Sequence, residues 1–223
     1  MREGANMTRE NVLRWFFFIF GLIVLAFGIS LTIVGKELGI GPWDVFHYGL
    51  FIQVGLSIGS WSIIVGFILL FVSSLFTRTI PKFGAFLNML LLGLFIDFFN
   101  WWLPSVESFM GIILVFILGV FFIGIGIGLY VSANFGAGPR DSIMLVIVEK
   151  TGWSIKWVRN GIEITVFLLG WLLGGPVGIG TVLIAFGLGP ILGYSIPQCQ
   201  QLLEYVKNRT AAKNYVEKTK PSA

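Results

Sequence analysis

Gly39-Ile40-Gly41-Pro42-Trp43-Asp44 and, 97 positions later, Gly136-Ala137-Gly138-Pro139-Arg140-Asp141 spell one pattern, Gly-x-Gly-Pro-x-Asp. Working outward at the same offset, Gly55-Leu56-Ser57-Ile58 matches Gly152-Trp153-Ser154-Ile155. After a slip of one residue, Gly84 matches Gly180 and Gly93 matches Gly189. Each match is weak in a chain with 29 glycines. Their collinearity over most of two halves indicates an internal duplication. Each half then reads as a long apolar run, the motif, a short apolar stretch, a second run, a short loop and a third run.

Composition says what the runs are. The chain is 56% hydrophobic and 12% charged, with mean hydropathy +0.90. A soluble domain of this length must cover itself with polar groups and cannot carry so many apolar side chains. The runs are Trp15–Val34, Trp61–Phe76, Phe83–Leu103, Phe109–Val131, Ile155–Gly174 and Val177–Ile196. A helix needs about 20 mostly apolar residues to cross the hydrocarbon core. The second run reaches that length when Ser57–Ser60 is included. Helices are required because backbone groups must be satisfied internally in lipid, and the alternation of a β-barrel is absent. The first run is too long for a signal peptide and is closed by no small-residue cleavage site.

Lysine and arginine set the orientation. With six crossings and a cytosolic N-terminus, the inner side holds Arg2, Arg9, Arg14, Arg78, Lys82, Lys150, Lys156, Arg159, Lys207, Arg209, Lys213, Lys218 and Lys220. The outer side holds Lys36. That is the bias of cytoplasmic loops. Tryptophan agrees: Trp15, Trp153 and Trp157 fall at inner ends, and Trp61, Trp101, Trp102 and Trp171 at outer ends. Trp43 alone lies elsewhere. The divisions are a cytosolic segment 1–14, repeat 1 over 15–103, an outer loop 104–108, repeat 2 over 109–196 and a basic cytosolic tail 197–223. The last helix is expected to stop at Pro197, the tail being solvated or laid on anionic lipid. Because three crossings is an odd number, the second repeat enters inverted. The fold class is therefore an all-α membrane protein of six transmembrane helices in two inverted three-helix repeats.

The motif has a local explanation and a functional one. Gly41 and Gly138 suit the N-cap, Pro42 and Pro139 the first helical position, and Asp44 and Asp141 the third, where a carboxylate reaches back to the cap. That alone describes a well-capped helix start after the turns at Gly39 and Gly136. The helices that follow have about 10 residues, or ~15 Å, half a bilayer. They are re-entrant half-helices or interfacial helices packed on the bundle. If re-entrant, they carry Asp44, Asp141 and Arg140 deep into lipid, where ionisable groups mark solute, ion or proton pathways. Arg159 and Glu163, four apart, can pair on one helix face. His47 and Tyr48 follow the first motif as packing residues or proton carriers. Asp97 and Asn88 have no polar counterpart at Gly193 and Ile184, and Asp97 is read as a water-exposed boundary carboxylate. Gly124/Gly128, Gly170/Gly174 and Gly189/Gly193 have the small-xxx-small spacing of close helix packing. Cys199, the single cysteine, excludes an internal disulfide and is read as a lipid- or cytosol-facing thiol. No metal-ligand cluster, cofactor motif or nucleic-acid signature is present.

The paired motifs, Gly175-Pro176 before the last run and Gly178-Ile179-Gly180-Thr181 within it resemble the YitT/YczE-like family of bacterial membrane proteins. The resemblance reaches to about Ile196 and is closer to the YczE-like branch, which lacks a soluble C-terminal domain. It implies a bacterial cytoplasmic membrane and lends no catalytic residue; Asp44 and Asp141 carry over as characteristic positions. The leading functional expectation is a small-solute transporter or channel with its pathway between the repeats, lined by Asp44, Asp141, Arg140, Glu163, Arg159 and His47. The alternative is a membrane regulatory or scaffold protein acting through partner contacts. An intramembrane aspartyl enzyme ranks last, and the chain is read as no enzyme. The expected partners are the bilayer, a small solute or coupling ion and a second copy in a homo-oligomer.

Overall fold

The computed structural model describes residues 2–136 and 138–219, with side chains from 10 to 209; Ala137 of the second motif lies outside the described residues. Among the described residues the chain is all helix and turn. Eight α-helices follow in order: α1 (Arg2–Val34), α2 (Pro42–Val54), α3 (Ile58–Thr77), α4 (Phe83–Trp102), α5 (Phe109–Ser132), α6 (Pro139–Thr151), α7 (Ile155–Leu172) and α8 (Ile179–Thr219). Five segments are long and apolar enough to cross a membrane: Glu10–Val34, Ile58–Thr77, Phe83–Trp102, Phe109–Ser132 and Ile179–Arg209. α7 has 18 residues but carries Lys156, Arg159 and Glu163, which keep it out of that set. Large apolar side chains such as Phe67, Phe71, Ile117, Phe121 and Phe186 point outward. A water-soluble monomer seldom exposes so continuous an apolar surface. A lipid-facing helix requires it.

α1 and α5 form the central pair, and glycine brings them together. A Cβ on Gly28 would overlap the backbone of Ile123 and the carbonyl of Gly119; one on Gly126 would overlap the backbone of Leu25. In lipid, helices associate through close packing and interhelical hydrogen bonds rather than hydrophobic exclusion. α4 packs beside α1 and α8 beside α5. Ser30 Oγ donates to the Ile96 carbonyl at 3.3 Å, and Ser195 Oγ to the Gly124 carbonyl at 2.7 Å. α2 lies against α7 and α3, and α6 against α3 and α7.

α3 and α4 are joined at their ends. Ser57 caps α3 by accepting from the Ser60 N–H at 3.0 Å. Asp97 of α4 accepts from the Gly59 N–H at 2.8 Å and from Ser57 Oγ. A Cβ on Gly59 would overlap the Gly93 carbonyl, so the two backbones touch there. This corrects the reading of Asp97 as a merely solvated group: the carboxylate sits partly buried at the positive end of α3, where a helix favours negative charge. α7 and α8 form no comparable contact, and Gly187, Gly189 and Gly193 face open space. The spacing of Gly189 and Gly193 points to packing; the structure gives them no partner helix. Gly128 does pack, against Ser195 and Cys199. Cys199 is accordingly buried, 8% exposed, and does not face lipid or cytosol.

α8 also departs from expectation, running unbroken through Pro190 and Pro197 to Thr219. Proline removes one N–H and crowds the carbonyl four residues back. At Pro197 that carbonyl belongs to Gly193, and membrane helices tolerate such a proline where neighbouring groups satisfy the freed backbone.

Candidate functional site

The two motifs build matching corners. Gly39 and Gly136 take φ of +95° and +120°, a region that glycine enters without strain. Gly41 and Gly138 then cap α2 and α6 in extended conformation, with proline at the first helical position of each. Gly39 abuts Gly178 and Thr181, and Gly41 lies near Ile184, so the first motif runs along the start of α8. Gly136 abuts Lys82, and Gly138 lies near Asn88, so the second runs along the start of α4.

A side-chain contact links the first turns of α2 and α6. The Arg140 guanidinium lies over the Trp43 ring, 4.7 Å from its centroid. A cation in this position is attracted to the electron-rich ring face. Arg140 is also within coulombic reach of Asp44, Tyr130, Asp141 and Glu163. Arg159 pairs with Glu163 at 3.1 Å, and its charge acts on Asp141. Asp44, His47, Asp141 and Glu163 thus feel the charge of Arg140, and Arg159 joins them through Glu163 and Asp141.

Asp44 and His47 are the most enclosed members, 6% and 2% exposed. His47 sits between the rings of Trp43 and Phe46, at 6.4 and 6.1 Å between centroids. Asp44 Oδ1 and both ring nitrogens of His47 are buried without a hydrogen-bond partner. Such atoms are rare in native structures because desolvation costs about 1–3 kcal/mol each. His47 packs among these rings and keeps both nitrogens free for a further hydrogen-bond partner. Tyr48 takes no part in the cluster, for its hydroxyl accepts from Lys36 Nζ at 2.7 Å.

Three residues here escaped the sequence reading as site residues: Trp43, Tyr130 and Asn88. Trp43 had a signal, as the one tryptophan away from a predicted membrane boundary. Asn88 had one too, a buried amide inside a span without a counterpart. Tyr130 had none.

Comparison with known proteins fixes the family. The model of a family described as "Family of unknown function (DUF6198)" matches residues 12–197. This chain belongs to that family. It is 58% identical over 207 residues to "Uncharacterized membrane protein YczE" of Bacillus subtilis (strain 168), covering 92% of this chain and 96% of that protein. An "Uncharacterized protein" of Haemophilus influenzae is 34% identical over 176 residues, covering 79% and 80% of the two chains. "Uncharacterized protein YyaS" of Bacillus subtilis is 29% identical over 191 residues, with 83% and 93% coverage. No solved structure matches. The YczE-like resemblance is therefore upheld, and the chain is a multi-pass membrane protein.

Proposed function

We propose that this family member is a small-solute transporter or channel whose pathway runs between two inverted repeats, and that Asp44, Asp141 and Arg140 line it. The observation that carries the reading is the side-chain contact between the two motif turns, Arg140 against Trp43, beside a buried and unpartnered Asp44 and His47.

The packing supports a duplication, with the α3–α4 contact as the pair that lacks a comparable counterpart in α7–α8, and three crossings per repeat would invert the second half. Exchanging each helix with its counterpart four places on converts α1–α4 into α5–α8, α2–α7 into α6–α3, and α2–α3 into α6–α7, all of which are contacts of the fold. Crossing parity supports six spans. Lys207 Nζ lies 2.9 Å from Glu10 of α1, which brings both ends of the bundle to one side. Ends that share a side require an even number of crossings, so α7, roughly 27 Å long at 1.5 Å per residue, makes the sixth. The lysine and arginine distribution assigns that side to the cytosol of a bacterial cell membrane. The caps Gly41 and Gly138 lie beside Ile184 and Asn88, five residues into α8 and α4. That is about 7.5 Å below each helix start. These depths support reading α2 and α6 as re-entrant, with their positive ends entering from opposite faces. Secondary transporters of inverted-repeat design bind their solutes at such broken-helix junctions.

The test is flux. Purified protein in vesicles should move at least one solute of a broad panel of ions and small polar molecules, and Asp44→Asn and Asp141→Asn should each cut that flux roughly tenfold or more, the effect of losing a charged partner. Vesicles that move nothing, together with both substitutions silent in cells, refute the reading.

A further inference from the structure

Around the Arg140–Trp43 contact, both signs of charge are present without a closed ion pair between them. The positive side has two parts. Each helix start carries about half a positive charge, and the first-turn N–H groups of Trp43, Asp44, Arg140 and Asp141 lie ahead of any intrahelical acceptor. Arg140 adds a full charge. The negative side is Asp44 and Asp141. Arg159 and Glu163 neutralise one another at 3.1 Å. The sum is near zero.

Opposite charges so close would ordinarily close into ion pairs. Among the described residues the ion pairs instead involve Glu10 with Arg14 and Lys207, Lys207 with Glu204, and Arg159 with Glu163. Arg140 rests on Trp43, and Asp44 Oδ1 stays unpartnered although its residue is 6% exposed. His47, 2% exposed, adds two unpartnered nitrogens, one a donor and one an acceptor in the neutral ring. A lone anion gains from the helix ends and Arg140 but is repelled by two carboxylates. A lone cation meets the reverse. A molecule with both charges a few ångströms apart meets attraction at each end.

We infer that the site selects a small zwitterion, its anionic end against Arg140 and the first-turn N–H groups and its cationic end on Asp44, with His47 taking a further hydrogen bond. The inference rests on the transport reading for its pathway and goes further in naming the substrate class.

Ligand-induced thermal stabilisation of the purified protein, with counterflow in vesicles, tests it. Serine, taurine and glycine betaine serve as zwitterions, glycerate as the matched anion and ethanolamine as the matched cation. At least one zwitterion should stabilise the protein and exchange, with affinity roughly tenfold or more above glycerate and ethanolamine. Asp44→Asn should remove that preference and raise glycerate relative to the zwitterion. Arg140→Gln should do the same for ethanolamine. Where a variant does not fold, the wild-type ranking decides. Failure of all three zwitterions to bind, a wild-type preference for glycerate or ethanolamine, or rankings unmoved in folded variants overturns the inference. Flux of a singly charged solute without zwitterion flux sinks the inference and leaves transport standing. Zwitterion binding without any flux sinks transport and leaves the site.

Discussion

Substituting Gly59 by alanine probes the α3–α4 junction at its tightest point. The new methyl would overlap the Gly93 carbonyl and crowd the Asp97 carboxyl. Overpacking of this kind costs about 1–3 kcal/mol. Moving Asp97 aside weakens its bonds from the Gly59 N–H and Ser57 Oγ; a hydrogen bond to a charged group is worth about 1.5–3 kcal/mol. With partial relaxation, about 3 kcal/mol of destabilisation is expected. For a chain of this size each kcal/mol lowers Tm by about 2–4 °C, so the drop is on the order of 6–12 °C. Gly161→Ala in α7 is the internal control, because a Cβ there meets open space. Alanine in a helix interior is favoured over glycine by about 1 kcal/mol, so this variant should unfold at or slightly above the wild-type temperature. Thermal unfolding of detergent-purified proteins, followed by far-ultraviolet circular dichroism, checks both. Equal Tm values for the Gly59 variant and wild type, or an equal drop in both variants, would refute the reasoning.

Gly126→Val should prevent stable folding, because its side chain would enter the Leu25 backbone at the central α1–α5 pair; loss of monodisperse protein on gel filtration reads it out. Ser195→Ala removes a buried interhelical bond to Gly124 and should cost about 0.6–1.5 kcal/mol, as membrane-buried hydrogen bonds do, visible as a small Tm decrease. Lys207→Ala, which removes ion pairs to half-exposed Glu10 and exposed Glu204, should change stability by about 1 kcal/mol or less. Cys199, packed beneath Ser195 and Gly128, should resist maleimide in the folded protein and react once it is unfolded, as mass spectrometry would record.

Local chemistry made much of this fold readable. The second apolar run needed Ser57–Ser60 to reach spanning length, and α3 does begin at Ile58 with Ser57 as its cap. The glycines and prolines of the motif prescribe a corner and then a helix, and each motif has both. What could not be read depends on partners far apart in sequence. The Asp97 carboxylate finds Gly59 across 38 residues. Spacing alone cannot say which glycine stripe has a helix opposite it, and so Gly189 and Gly193 looked like Gly124 and Gly128. At Pro197 a local stop signal did not end the helix, as membrane helices tolerate proline where the freed backbone groups are satisfied nearby. In the site, the charged residues stood out because ions are scarce in the runs. The stacking of Arg140 on Trp43 did not, because those positions are where the two motifs differ.

The length of α8 has a mechanical consequence. Its 41 residues extend about 60 Å, twice the ~30 Å of hydrocarbon. From Pro197 to Thr219 the helix acts as a tiller about 33 Å long, so a swing of ~10° at the proline sweeps its tip through about 6 Å. The Lys207–Glu10 contact moors that tiller to the first helix of the bundle. A small rearrangement among the buried ends of α8 and α5 would therefore reach the aqueous side magnified, as a displacement large enough for a spectroscopic ruler to follow.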